Sequence, residues 1–119
     1  MDNAARDGFF WRLHNKMGIA SGKIPIECKN YTTDISNPEL DQLAGRLNIN
    51  TGMFGFLCCR HFEDRTLFIK RCKDSWHAQK QLIVPLDDKL ILIFLKIIAD
   101  EGRETLDRRI QKLVEEVWH

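Results

Sequence analysis

The sequence predicts an α/β sandwich in which a small mixed sheet, partly parallel, is flanked by helices in a single domain spanning residues 1–119. Three observations carry that expectation. Short apolar runs around Ile24–Ile26, Met53–Cys59 and Gln81–Leu86 are bounded by turn residues, as buried strands are. Between and after them lie stretches with apolar residues at helical spacing. Helix and strand patterns alternate in order, which suits a sheet covered by crossover helices.

From the N-terminus, Gly8 to Met17 reads as an aromatic-rich helix stopped by Gly18, with Phe9, Phe10, Leu13 and Met17 facing the sheet. After a loop at Ser21–Gly22, the first strand runs from about residue 23 to 30. Pro25 requires a place early in that strand or beside a free edge. Asn37-Pro38-Glu39 starts the next helix. Asn37 can cap, Pro38 at the first helical position forfeits no hydrogen bond, and Glu39 suits the helix dipole. Leu40, Leu43, Ala44 and Leu47 form its buried stripe.

A turn at residues 50–52 leads into the fully buried strand 53–59. Asp64 opens a helix to Gln79 with Leu67, Phe68, Cys72 and Trp76 on one side. The third strand, 81–86, is expected to end at Pro85. Asp87-Asp88 caps a helix from Lys89 to Ala99, apolar almost all round and therefore expected to be sandwiched. Beyond Gly102, Leu106, Ile110, Leu113, Val114 and Val117 line the inner face of a last helix; Trp118 belongs either to that core or to a dimer contact.

Composition narrows the class. Hydrophobic residues at 44% and charged residues at 29% are ordinary for a globular chain. The net charge of +1 is uninformative, but residues 1–83 hold 12 Lys/Arg against 9 Asp/Glu while the remainder is acidic. That asymmetry permits a DNA-facing front without requiring one. The apolar stretch from Leu90 to Ala99 is broken by Lys96 and too short to span a bilayer, so no membrane role is expected. The first residues carry no secretory pattern, and Cys28, Cys58, Cys59 and Cys72 form no disulfide framework. A reduced, cytoplasmic chain is expected.

Chemistry concentrates in Ile24-Pro25-Ile26-Glu27-Cys28-Lys29-Asn30-Tyr31-Thr32. On a strand, alternation sends Glu27 and Lys29 to one side. A carboxylate able to hold a divalent cation then sits beside an ammonium able to orient water or bind phosphate, as metal-assisted phosphodiester hydrolysis needs. The same spacing also describes an ordinary surface ion pair.

Three blocks, Ile26-Glu27-Cys28-Lys29-Asn30-Tyr31, Asn37 to Leu43 and Gly55 to Arg60, together resemble the PD-(D/E)xK, or restriction-endonuclease-like, nucleases over residues 8–95. The resemblance implies a restriction-endonuclease-like fold and a Mg²⁺-dependent DNA endonuclease, with Mn²⁺ an alternative cation. Glu27 would ligate the metal, Lys29 would orient the attacking water, and Gln42 would line the site. The family's first acid lies on a strand before the E-x-K strand. Only seven residues precede Gly8 here, offering Asp2 and Asp7. Either Asp2 is that metal ligand or the N-terminal strand bearing it is missing, which would leave a sheet edge open to pairing in a homodimer. The rival reading is an inactive nuclease fold that binds DNA or a protein; a third is an interaction domain unrelated to nucleic acid.

Residues 60–80 carry six basic side chains against three acidic. Arg60, Arg65 and Lys73 are the phosphate contacts of a DNA-binding reading, with Asn30 beside the site; a solvated helix face explains the strip equally well. Adjacent Cys58 and Cys59 point to opposite faces of a strand, so buried thiols are expected rather than zinc ligands. Asp87-Asp88 reads as a cap before it reads as a metal site.

Overall fold

Helix and strand alternate as expected in the computed structural model, which describes residues 8–28, 37–50, 52–60, 62 and 64–118. The elements are α1 (Gly8–Asn15), β1 (Ile26–Cys28), α2 (Asn37–Ala44), β2 (Phe54–Cys58), α3 (Arg65–Gln79), β3 (Leu82–Leu86), α4 (Asp88–Asp100) and α5 (Arg103–Trp118). The sheet order is β1-β2-β3. Both pairings are parallel, so the described sheet is wholly parallel and not mixed. The cause lies in the connections: α2 and α3 stand between successive strands, and a crossover helix returns the chain in the same direction.

Central β2 is buried along its whole length. Its alternation assigns the two faces. Phe54 and Phe56 meet the rings of Phe9 and Phe10 from α1, with the Phe9–Phe54 centroids 6.2 Å apart. On the opposite face, Leu43 and Leu47 come down over Gly55, whose missing side chain lets α2 approach. The sandwich of the sequence reading is therefore present, with α1 and α2 on opposite sides of β2.

Pro85 lies inside β3 and does not end it. The Leu82 N–H donates to Met53 O at 2.8 Å, so the alternate positions 82, 84 and 86 face β2. The absent N–H of Pro85 falls on the outer side, where no ladder bond is lost.

Helix α5 closes the structure against α1, α3, α4 and β3. It contributes Ile110, Leu113, Val114 and Val117 to the core, as their spacing foretold. Trp118 is half-buried against Trp76, with ring centroids 4.9 Å apart, and so extends the core. Two helix faces depart from expectation. Leu67 is 44% exposed rather than inward. Helix α4 is not sandwiched: Leu90 and Ile97 are buried, whereas Leu92, Leu95 and Ile98 are 65%, 57% and 54% exposed. Its neighbours α5 and β3 cover one side of it.

Candidate functional site

Glu27 is the middle residue of β1, and its register partner is Leu57. It therefore shares the face of Gly55 and Leu57, the face under α2. The chain leaving α2 turns at residues 45 and 46, and this turn carries Arg46 onto the carboxylate. The guanidinium Nη1 of Arg46 donates to Glu27 Oε2 at 2.5 Å. The side chain of Glu27 is only 16% exposed, against 63% for Arg46. A carboxylate withdrawn that far from water needs a charged partner, and a guanidinium supplies directional hydrogen bonds as well as charge. Arg46 was not among the residues the sequence singled out. Its only signal was its place three residues after Leu43 and one before Leu47, both on the stripe that covers the sheet.

Gln42 is exposed on α2, four residues before Arg46. Lys29, Asn30 and Asp2 lie outside the described residues, as does Asp7. The pairing of Glu27 with Lys29 on one side of a strand thus remains a reading of the sequence.

The carboxyl ends of the three strands coincide: Cys28 is level with Cys58, and Cys58 with Leu86. In open parallel sheets this edge is where loops gather to bind ligands. Here it carries Arg60 and Asp88, whose side chains approach to 3.5 Å and are 60% and 54% exposed. Asp87 beside them caps α4, accepting the Leu90 N–H at 2.8 Å, in agreement with the capping expectation.

The cysteines are all free thiols; Cys28 is exposed, and Cys58, Cys59 and Cys72 are buried. Burial, and then the neighbouring Cys28, pushes the Cys58 thiol up to about 12. Burial likewise pushes Cys72 up to about 12, against a smaller opposing pull from Arg65. A thiol held neutral in this way is a poor nucleophile and a poor zinc ligand.

The basic strip is divided. Arg65 forms a two-pronged pair with Glu116 of α5, at 2.9 and 3.3 Å, and thereby ties α3 to α5. Arg60 is engaged by Asp88, and Lys73 is half-buried on α3. Among the described residues no group of three or more His, Cys, Asp or Glu side chains gathers to hold a metal ion. Mg²⁺ asks for less than that, since one or two carboxylates suffice when water and phosphate oxygens complete its shell. Glu27 is one such carboxylate, and Arg46 holds it.

No family model, curated protein or solved structure matches this chain.

Proposed function

We propose that this chain is the catalytic part of a Mg²⁺-dependent DNA endonuclease of the restriction-endonuclease-like kind, acting on phosphodiester bonds at Glu27. The observation that carries the reading is the withdrawn Glu27 carboxylate beside a mobile-length, exposed cation, Arg46, near the carboxyl edge of a parallel sheet. Glu27 would hold the metal, Mg²⁺ or Mn²⁺. When bound, that ion would supply Lewis-acid polarisation of the phosphate and a water acidified toward neutrality.

The protein's own groups have separate tasks. Arg46, exchanged from Glu27 to a phosphate oxygen, clamps the substrate through its planar fork. Lys29 orients the attacking water, a role that rests on the E-C-K resemblance. Gln42 lines the approach along α2. Arg60 and Lys73 supply sequence-independent attraction to the DNA backbone.

A second reading, a nuclease fold that binds DNA or protein without cutting, draws support from the same ion pair, because Arg46 already neutralises Glu27. A plasmid assay separates the two. With Mg²⁺ or Mn²⁺, the wild-type chain is expected to nick supercoiled DNA, and Lys29→Ala to abolish nicking while retaining binding. Retarded but intact plasmid under every condition would favour the second reading; neither binding nor cleavage would reject both.

A further inference from the structure

At the carboxyl edge of the sheet, β1 and β2 each end on a cysteine, and the two cysteines are register partners. Register partners on neighbouring strands point to the same face, so the Cys28 and Cys58 thiols stand side by side, within hydrogen-bonding reach. This is the face of Phe56, opposite the one that carries Glu27. β1 is an edge strand, and Cys28 is the exposed member of the four cysteines. Cys59 and Cys72 are buried, so a reagent in solution meets Cys28 first and finds Cys58 next to it.

We propose that Cys28 and Cys58 are a redox-active dithiol, which a small disulfide such as glutathione disulfide closes into a cross-strand bond. Cys28, deprotonated, attacks one sulfur of the reagent; the expelled glutathione thiolate takes up the proton, and the other glutathione stays on Cys28. Cys58 Sγ then attacks Cys28 Sγ, and its proton goes to the second glutathione thiolate as that group leaves. Two protein thiols are oxidised to one disulfide, and one glutathione disulfide is reduced to two glutathione molecules. Burial keeps the Cys58 thiol protonated, so closure depends on its fixed place beside Cys28.

Strand geometry makes the bond a reversible one. Adjacent strands lie about 4.8 Å apart, inside the Cα range that disulfides span. Side chains of register partners stand nearly parallel, which holds their Cβ atoms near that same spacing, wider than the roughly 3.8 Å of a relaxed bond. A disulfide closed there is strained, and strained, accessible disulfides are the reducible, regulatory kind. It also fastens together the two ends of the segment 28–58, which carries α2 and Arg46.

The test incubates the native full chain with glutathione disulfide, quenches with acid, alkylates the remaining thiols and reads intact mass. The expected product is a monomer that has lost two of its four thiols and retains no glutathione. Fragmentation of its linked peptides should place the bond between Cys28 and Cys58. Millimolar reduced glutathione should restore all four thiols. Cys28→Ser, at an exposed site, should keep the far-ultraviolet dichroism and lose the bridge. Glutathione that stays on Cys28, a disulfide-linked dimer, a bond mapped to Cys59 or Cys72, or closure that survives Cys28→Ser overturns the pairing. A correctly placed bond that resists reduced glutathione overturns its role as a reversible switch.

Discussion

At Glu27 a strand residue finds its partner 19 positions away, and that distance explains what the sequence could reveal. The carboxylate was legible because E-C-K stands at the end of an apolar run. Arg46 was not, because its approach depends on where α2 ends and how the next turn points it. Asp107 is a similar case. Nothing in the sequence singled it out, yet it is 8% exposed and accepts the Phe9 N–H at 3.3 Å across 98 residues. There it satisfies a donor at the start of α1 that the helix itself cannot. Gly8 makes room for it: its φ is +78°, and a Cβ there would run into the Asp107 carboxylate. Gly8→Ala is expected to lower unfolding free energy by about 2 kcal/mol or more, measured in urea, from the left-handed backbone and the collision together.

Elements whose boundaries are fixed by side chains were read most accurately. Asp64 and Asp87 both cap as their residue type suggests, accepting the N–H of Leu67 and Leu90. Asp87→Ala should therefore cost about 1 kcal/mol in equilibrium unfolding. An unchanged midpoint would show that the α4 start is held by packing alone. Elements fixed by tertiary contact were read less well. Pro85 was expected to end β3, but an edge strand has one outward row of N–H groups and a proline fits there. The apolar circumference of α4 suggested a sandwiched helix, since periodicity reports hydrophobicity and cannot report which side a neighbour covers.

For the whole molecule, alternating elements made the α/β class legible, while sheet order and direction came only from the structure. The wholly parallel order β1-β2-β3 brings the carboxyl ends of all three strands together. It also buries Cys58 and Cys72, and their raised thiols tie stability to alkaline pH. From the ordinary value of 9.0 to about 12 the unfolded chain loses these protons and the folded chain keeps them. The folded state then binds more protons, so stability is full below about pH 9 and falls as pH rises toward 12. Cys72→Val should flatten part of that decline in urea titrations from pH 8 upward, by about one ionisation's share.

Everything proposed for catalysis depends on Glu27 being able to exchange Arg46 for a divalent cation. Paramagnetic relaxation by substoichiometric Mn²⁺ in ¹⁵N-labelled protein measures this at residue resolution without requiring turnover. The expected result is selective broadening of the amides of Glu27, Cys28 and the register partner Leu57, abolished in Glu27→Gln. Broadening that is absent, or that persists in Glu27→Gln, would contradict the assignment of Glu27 as the metal-holding carboxylate.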